Sequence, residues 1–287
     1  MKQLDLFIEL IRLKKPIGFM LLFWPCAWGL TIAYDLNKNL NDYFFYLILF
    51  FLGSILMRSA GCIVNDILDK ELDKKVKRTK QRPVASGKIS VKRGLFYVVL
   101  LCLLALAILL NFNTYTIFLA LASMPLAFSY PLMKRYTYWP QLFLGITFNY
   151  GLILGWTSIN SEINFIPLIF YFGAIFWTLG FDTIYGFQDI KDDEIIGIKS
   201  TSIKFKKNPK FFLLLCYLIF IISLISVGLL MKFNPVFYFF MIIPIIHLLF
   251  YQVTNFKVKS PKSSLKIFKS NNLLGMLILF NIIIGKI

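Results

Sequence analysis

The stretch Asn65-Asp66-Ile67-Leu68-Asp69-Lys70-Glu71-Leu72-Asp73 directly follows an apolar segment. On a helix, Asp66, Asp69 and Asp73 fall within an arc of about 60°. Carboxylates on one narrow stripe repel one another unless a cation lies among them. Hard divalent cations, above all Mg²⁺, take such oxygen ligands and usually bring a phosphate with them. The alternative is a solvated loop in which neighbouring lysines neutralise the acids.

A second acidic stripe follows a later apolar segment. Asp182, Asp189 and Asp193 fall on one side of a helix. Tyr185 lies beside this stripe, whereas Asp192 points away from it. Asp182 lies within or close to a run expected in lipid, where an ionisable side chain is expensive and functional by default. Two acidic stripes, each at the end of an apolar segment, indicate the two walls of one metal site.

The composition indicates that most of the chain lies in lipid. It is 58% hydrophobic and contains 31 Phe, and its mean hydropathy of +0.72 is not that of an ordinary soluble domain. We predict an all-α integral membrane protein, a single domain over 1–287, with about nine transmembrane helices around a central cavity. The predicted spans are 17–34, 43–64, 90–110, 114–133, 139–158, 164–187, 210–231, 235–252 and 267–285. The recurrence of the acidic stripes suggests two similar halves, roughly 1–133 and 134–287.

Most cations lie on alternate loops. Lys and Arg total 31 against 14 Asp and Glu, and the opposite loops and the tail carry only Lys38, Lys232 and Lys286. This asymmetry follows the positive-inside rule rather than nucleic-acid binding, and it places both acidic stripes on the cytoplasmic face. A basic surface there attracts anionic lipid and anionic substrates. Because the first residues resemble an interfacial amphipathic helix and not a signal or transit peptide, we predict a multi-pass protein of a bacterial inner (plasma) membrane.

Few residues within the predicted spans have side chains that could bind a metal or take part in catalysis. The four cysteines lie singly, without metal spacing, and His247 is the only histidine, which excludes a histidine-rich metal site. Arg58 is either a buried partner for an acid from another helix or an anion contact. Glycines of the fifth span permit close helix approach.

The longest loop follows Asn65 and is dense in cations. Loops of such length inside a compact protein are usually functional or disordered. A cationic lid beside carboxylates suits a diphosphate bridged by Mg²⁺, and Arg78 and Arg82 suit forked phosphate contacts. After the fourth span, Lys134 could bind a departing phosphate. Tyr130, four residues earlier on the same helix face, could shield it.

Together these residues resemble the UbiA-type intramembrane prenyltransferases over nearly the whole chain. The matching motifs are Asn65-Asp66-x-x-Asp69-x-x-x-Asp73, Arg78-Thr79-x-x-Arg82-Pro83, Tyr130-x-x-x-Lys134-Arg135-x-Thr137, Asp182-Thr183-x-Tyr185-x-x-x-Asp189-x-x-x-Asp193 and Gly197-Ile198-Lys199-Ser200-Thr201. The later motifs, with Arg12-Leu13-x-Lys15-Pro16-Ile17-Gly18 and Asn271-Asn272, are most similar to the 4-hydroxybenzoate polyprenyltransferase branch of ubiquinone synthesis. Gly186 departs from the alanine that is usual after the tyrosine.

The resemblance implies Mg²⁺-dependent transfer of a polyprenyl group from polyprenyl diphosphate to 4-hydroxybenzoate, at the ring carbon ortho to the phenol. The isoprenoid tail would lie in a cavity open to lipid. Metals and cations would stabilise the departing diphosphate, and the allylic carbocation would alkylate the ring without a protein nucleophile.

The resemblance also implies a role for each site residue. Asn65 would assist the metal ligands, which would be Asp66, Asp69, Asp73, Asp189 and Asp193. The residues around the diphosphate would be Arg78, Arg82, Tyr130, Lys134 and Lys199. The acceptor carboxylate would bind Arg135, or otherwise Arg12 or Arg58. Asp182 would orient the acceptor phenol or serve as a further metal ligand, and Tyr185 would contribute to substrate binding.

Two kinds of alternative remain open from the sequence. Within the same superfamily the acceptor could be haem, a glycerol phosphate lipid or another aromatic acid. A cation-coupled transporter also carries acids on its spans, but those acids should lie near the bilayer midplane. Prenyl chain length, metal count and oligomeric state stay undetermined.

Overall fold

The computed structural model describes residues 3–287, and all regular structure among them is helical. The helices are α1 (Gln3–Leu10), α2 (Ile17–Ala33), α3 (Leu40–Leu68), α4 (Lys70–Asp73), α5 (Val91–Leu109), α6 (Thr114–Ser129), a 3₁₀ turn (Tyr130–Leu132), α7 (Met133–Tyr136), α8 (Pro140–Asn160), α9 (Phe165–Gly186), α10 (Ile190–Ile195), α11 (Thr201–Lys204), α12 (Pro209–Leu230), α13 (Pro235–Phe240), α14 (Ile242–Ile245), a π-helical turn (Ile246–Gln252), α15 (Val253–Asn255) and α16 (Pro261–Lys286).

The membrane-spanning character predicted from the sequence is confirmed. In the part of the chain that the structure describes, eight helical segments are long and apolar enough to cross a membrane, and α2 is a shorter apolar helix of 17 residues. Two segments are locally irregular. Pro131 ends α6 in the 3₁₀ turn, and the segment that includes Pro244 changes to π-helical geometry. The division into two similar halves stays a prediction.

An aromatic core joins α2, α9 and α12. The rings of Trp28 and Trp177 have centroids 5.1 Å apart, and Phe170 stacks on Trp28 at 5.4 Å. Both indoles are fully buried, so their N–H groups need acceptors. Trp28 donates to Gly275 O and Trp177 donates to Asn271 Oδ1, each at 2.9 Å. Both acceptors lie on α16, which these bonds fasten to the core.

The Asn271-Asn272 pair is a packing motif. Asn271 Oδ1 also accepts from Gln252 Nε2 at 3.0 Å, and Tyr217 Oη donates to Gln252 Oε1 at 2.7 Å. Asn272 Oδ1 accepts the indole N–H of Trp24 at 2.9 Å. A buried polar network whose members are hydrogen-bonded specifies one helix arrangement. His247 lies at its edge, 3.3 Å from Gln252, as a packed residue of the π-helical turn.

Glycines allow α2 and α8 to cross at backbone contact. A Cβ atom at Gly29 would lie 2.0 Å from the carbonyl oxygen of Leu152, and one at Gly155 would lie 2.3 Å from that of Cys26. Real side chains do not approach so closely, so only glycine fits at either position. Small residues that bring helix backbones together are a common basis of packing in membranes, as the sequence predicted for the glycines of α8.

The first and last helices of the bundle are joined at their ends. Lys286, in the last turn of α16, donates its Nζ to the carbonyl oxygens of Thr31, Ile32 and Tyr34 at 2.8, 2.9 and 2.5 Å. Carbonyls at a helix C-terminus have no partner within their own helix. The lysine satisfies these groups and complements the negative end of the α2 dipole.

We expect Gly155→Ala to destabilise the bundle by about 1–3 kcal/mol, because the added methyl group must push α2 and α8 apart. Thermal unfolding in detergent micelles or nanodiscs measures the change. The matched control is Gly53→Ala on α3, where an added Cβ meets no atom within 4 Å. Equal unfolding temperatures for the two variants would contradict the close crossing.

Candidate functional site

The first acidic motif lies where α3 ends. Asp66 occupies the last turn of α3, Asp69 separates α3 from α4, and Asp73 ends α4. The helical spacing used to group these residues does not run unbroken, because the backbone leaves helical geometry at Asp69 (φ −96°, ψ 6°). The carboxylates still converge. All three are buried, with exposed fractions of 1, 1 and 6%.

Cations from distant parts of the chain compensate these buried acids. Arg82 Nη1 contacts Asp66 Oδ1 at 3.2 Å and Asp73 Oδ2 at 2.7 Å. Arg12 Nη2 donates to Asp66 Oδ1 at 2.5 Å, and Lys134 donates to Asp69 Oδ2. Removing one partner of a buried ion pair leaves an uncompensated charge, which is strongly destabilising. The acids and the cations therefore require each other.

Arg12 reaches Asp66 through an unusual backbone turn. Its φ of +55° lies in the left-handed region, which costs free energy for a residue with a side chain. The preceding residues hold the turn in place, because Leu10 and Ile11 are buried in a cluster that includes Ile63 and Val84. Packing of the interfacial helix α1 thus places a guanidinium beside the first acidic motif.

The long loop between α4 and α5 is folded onto the protein. Val84 and Ile89 are buried in the same cluster as Leu10. Thr79 Oγ1 donates to the carbonyl oxygen of Asp73 at 3.1 Å and is itself buried. The loop is therefore an ordered part of the site, and its apolar residues hold Arg82 over the carboxylates.

The second acidic motif lies between α9 and α10 and faces that loop. Arg78 Nε lies 2.9 Å from both carboxylate oxygens of Asp189, and its Nη2 also donates to Asp189. The guanidinium carbon of Arg78 lies 5.8 Å from the centre of the Tyr185 ring. Asp192 Oδ2 accepts the backbone N–H of Lys77 at 3.4 Å, so this side chain also faces the loop.

Lys134 lies between the two motifs. It donates to Asp69, and its backbone carbonyl accepts from Lys199 N at 2.9 Å, which ties α7 to the segment after α10. Burial and then repulsion by Asp189 raise the pKa of Asp193 to about 6, while Lys134 and Arg78 act in the opposite direction. Both motifs therefore share one electrostatic environment. We call the surface formed by loops 69–90, 130–139 and 187–200 the basic face.

The carboxylates present a donor set that fits a hard divalent cation. Asp69 Oδ1 is buried without a hydrogen-bond partner, and Arg135 Nη2 lies 3.9 Å away, too far to donate. Burial raises the pKa of Asp69, and Lys134 opposes that shift. Among residues 3–287 no three His, Cys, Asp or Glu side chains are already grouped around one point, and Arg and Lys side chains contact the carboxylates instead. Oxygen-only donors with a buried unpaired atom suit Mg²⁺ chemistry.

An apolar chamber lies within the bundle beside the first motif. Its volume is about 220 Å³, and it is bounded by α2, α3, α5, α6 and α8. Arg58 and Tyr130 line its inner end, near the basic face. The rest of the wall is made largely of aliphatic and aromatic side chains. A cavity of this kind suits a chain-like apolar ligand whose polar end lies at the basic face.

Arg58 presents an unpaired guanidinium to the chamber. It makes no hydrogen bond to residues 3–287, its Nε is buried, and its guanidinium carbon lies 5.4 Å from the Phe148 ring centre. Asp182 and Tyr130 are close enough to interact with it electrostatically. Gly18 makes room for the group, because a Cβ there would lie 2.8 Å from Arg58 Nε. The sequence alone did not reveal this role of Gly18, although the glycine that directly follows Lys15-Pro16-Ile17 could have indicated it.

Three predicted site residues lie at the margin of the basic face. Arg135 is partly exposed and donates from Nη2 to the carbonyl oxygen of Leu68 at 2.5 Å. Lys199 points away from the carboxylates, donating to the carbonyl oxygen of Tyr136 at 3.2 Å. Asn65 lies half-buried in the last turn of α3. The structure thus brings together the aspartates, Arg12, Arg78, Arg82 and Lys134, but not the side chain of Lys199.

An all-helical membrane bundle with two facing groups of carboxylates and cations beside an apolar chamber defines an integral membrane protein suited to an anionic amphiphile. The chain belongs to the UbiA prenyltransferase family, whose profile matches residues 22–279. Over its whole length it is 40% identical to the mitochondrial 4-hydroxybenzoate polyprenyltransferase of Bos taurus, covering 76% of that protein. It is 47% identical over 208 residues to the mitochondrial protein of the same name from Arabidopsis thaliana. That match covers 72% of this chain and about half (51%) of the relative.

Solved structures of UbiA homologues share the fold. The apo structure of a homologue from Aeropyrum pernix K1 has a TM-score of 0.74 at 22% identity, covering 94% of this chain and 99% of that one. A homologue from Archaeoglobus fulgidus, bound to GPP and Mg²⁺, has a TM-score of 0.69 at 20% identity, covering 97% and 99%. Another structure of the latter protein contains Cd²⁺.

The comparisons contradict the bacterial inner membrane predicted from the sequence. The similar proteins are mitochondrial enzymes of eukaryotes, and they point to a mitochondrial membrane. The prediction relied on the character of the first residues of the chain. Those residues carry no information about a leader, because the matched region is shorter than each of these relatives. The multi-pass membrane location itself is supported.

We expect Arg82→Gln to destabilise the protein by about 3–5 kcal/mol in chelator, because Asp66 and Asp73 lose a shared buried partner. Added Mg²⁺ should restore part of the lost unfolding temperature, since a metal can replace the missing positive charge. The control is Lys74→Gln in the same loop, because its pair with exposed Glu71 is screened by solvent and contributes little to stability. If Mg²⁺ stabilised Arg82→Gln no more than it does Lys74→Gln, the metal would not bind at these carboxylates.

Proposed function

We propose that the protein transfers a polyprenyl group from polyprenyl diphosphate to 4-hydroxybenzoate, at the ring carbon ortho to the phenol, with Mg²⁺ as cofactor. The observation that carries this proposal is the convergence of two aspartate motifs and their cations beside an apolar chamber. The identity of 40% with the bovine 4-hydroxybenzoate polyprenyltransferase over the whole chain supports the acceptor. The reaction would serve ubiquinone synthesis.

The diphosphate would bind between the two acidic motifs. Asp66, Asp69, Asp73, Asp189 and Asp193 would hold Mg²⁺, assisted by Asn65. Bound Mg²⁺ supplies Lewis-acid stabilisation of the charge that develops on the leaving diphosphate.

The cations that now neutralise the aspartates would turn to the phosphate oxygens. Arg78 and Arg82 offer forked donors that match phosphate geometry, whereas Lys134 offers a compact point charge between the motifs. Because each cation already lies beside a carboxylate, the exchange of partners keeps the charges of the site balanced. The same groups then stabilise the leaving group as its bond to the allylic carbon breaks.

The acceptor would bind at the inner end of the chamber. Arg58 is the best candidate for its carboxylate, because its guanidinium is unpaired and lines the chamber. This assignment replaces the preference for Arg135, which is bonded to a backbone carbonyl at the margin of the basic face. Asp182 would orient the phenol, and Tyr130 would shield the reacting carbon from water. The new carbon–carbon bond forms at the ortho position, and the ring then loses its proton.

We expect Asp66→Asn and Asp189→Asn each to lower prenyl transfer by at least about a hundredfold, because the developing charge loses its support. Membranes containing each variant are assayed with labelled prenyl diphosphate, 4-hydroxybenzoate and Mg²⁺. Glu194→Gln is the matched control, since its exposed carboxylate pairs with Lys206 outside the site. Full transfer by both aspartate variants would refute the site. If the wild-type protein transferred the prenyl group to haem, a glycerol phosphate lipid or another aromatic acid, and not to 4-hydroxybenzoate, that compound would be the acceptor instead.

We expect Arg58→Ala to raise the KM for 4-hydroxybenzoate about 10- to 100-fold, the loss of one charged hydrogen-bonded contact. The KM for the prenyl diphosphate should change little, because Arg58 forms no ion pair with any of the proposed metal ligands. Uncharged 4-hydroxybenzamide sharpens the test, since Arg58→Ala should abolish the preference for the acid over the amide. If Arg135→Ala abolished that preference and Arg58→Ala did not, the carboxylate would bind at the margin of the basic face.

A further inference from the structure

The aromatic core extends to the basic face through α16. The ring centroid of Phe268 on α16 lies 4.3 Å from that of Tyr185 and 5.7 Å from that of Phe181. Phe181 packs in turn on Trp177, with centroids 4.9 Å apart. A row of rings in contact therefore runs from the buried indole of the core to Tyr185, in the last turn of α9.

Hydrogen bonds hold the turn of α16 that carries Phe268. Asn271 Nδ2 donates to the carbonyl oxygens of Ile267 and Phe268 at 3.1 and 3.3 Å. Asn271 Oδ1 accepts the indole N–H of Trp177 at 2.9 Å. Ile267 is buried, and the half-buried ring of Phe268 packs against the aromatic core. These contacts fix the backbone of α16 beside Tyr185.

Tyr185 lies beside two arginines of the site. The guanidinium carbon of Arg78 lies 5.8 Å from the centre of the Tyr185 ring. Arg12 is also close enough to Tyr185 to interact with it electrostatically. Arg12 contacts Asp66 of the first acidic motif, whereas Arg78 contacts Asp189 of the second. Tyr185 is therefore placed between cations that belong to different motifs.

The contact between Arg78 and Tyr185 leaves the donors of the guanidinium free. A cation over an aromatic ring is attracted by the ring quadrupole and uses no N–H group for that contact. Arg78 can therefore keep its place over the ring while its N–H groups turn from Asp189 to phosphate oxygens. The ring must itself stay in place for this, and Phe268 is its neighbour on α16.

We propose that Phe268 is a positioning residue for the prenyl diphosphate, because its ring holds Tyr185 in place and Tyr185 holds Arg78 toward the phosphate oxygens. This inference rests on the proposed function, since it assumes that Arg78 binds the diphosphate. Without the ring of Phe268, Tyr185 gains rotamer freedom and Arg78 loses the contact that prepares it for the anion. A binding group that is not prepared in this way must be ordered when the ligand binds, which weakens binding.

The test measures prenyl transfer by Phe268→Leu in nanodiscs with geranyl diphosphate, 4-hydroxybenzoate and Mg²⁺, and binding of geranyl diphosphate by calorimetry. The KM and the Kd for geranyl diphosphate should rise about three- to thirtyfold, the effect of losing one cation–π contact. The KM for 4-hydroxybenzoate should stay at the wild-type value. Phe268→Tyr keeps the ring and should restore the wild-type KM for geranyl diphosphate.

Phe233→Leu is the matched control. It removes a ring that lies 4.9 Å from that of Phe237, just beyond the end of α12 that lies away from the basic face. It should leave the KM for geranyl diphosphate unchanged, because the ring pair that it breaks has no contact with the arginines. An equal rise in KM for Phe233→Leu and Phe268→Leu would overturn the inference.

A double variant tests whether Phe268 acts through Arg78. In an Arg78→Gln background, Phe268→Leu should raise the KM for geranyl diphosphate no further, because the contact that it supports is already lost. Residues that act independently give additive effects, so an equal increase in both backgrounds would overturn the inference. A lower kcat or unfolding temperature with an unchanged KM would also overturn it, since that result describes a purely structural role.

Binding by the wild-type protein separates the role of Phe268 from the proposed function. If wild type binds geranyl diphosphate with Mg²⁺ and Phe268→Leu binds it equally well, only the role of Phe268 is refuted. If wild type binds no prenyl diphosphate, both are refuted. If Phe268→Leu does not fold, Phe268→Met removes the ring and retains more of its volume, and an unchanged KM in that variant refutes the inference.

Discussion

Pairing of opposite charges across distant segments is the constraint on which the site depends. Arg12 meets Asp66, Lys134 meets Asp69, and Arg78 meets Asp189, over sequence separations of 54, 65 and 111 residues. Each contact joins a different pair of segments, so all three contacts are made only when these distant parts of the chain have come together. An anion bound to a metal can enter such a site if the cations and carboxylates exchange partners. No charged group then loses all of its contacts.

The bundle divides into a tightly packed side and a looser side. Around α2, α8 and α9, glycines and large aromatic rings bring the helices into close contact. The chamber lies toward α5 and α6, whose buried residues are few: Gly94 and Leu101 on α5, and Thr116 on α6. The rigid side holds the polar groups at fixed positions, while the lightly packed side leaves space for an apolar guest.

Hydropathy alone predicted the apolar helices, since eight of those described are long enough to cross a bilayer and α2 is a shorter apolar helix. Helical spacing placed Asp66, Asp69 and Asp73 on one side of the chain, but it could not show the break at Asp69 or the contacts that Arg82 and Lys134 make with these carboxylates. The choice between Arg58 and Arg135 also needed the structure, because only tertiary contacts distinguish an unpaired guanidinium from a bonded one. The role of Gly18 depends on the position of Arg58 in the same way.

The hydrogen bonds between Lys286 and the end of α2 have a consequence for biogenesis. The carbonyl groups of Thr31, Ile32 and Tyr34 receive their donor from the last helical residue of the chain. A nascent chain therefore inserts its first apolar helix long before the group that completes that helix has been synthesised. Until α16 has been inserted, this end of α2 must rely on water or lipid head groups, so the ring of helices closes late in membrane integration.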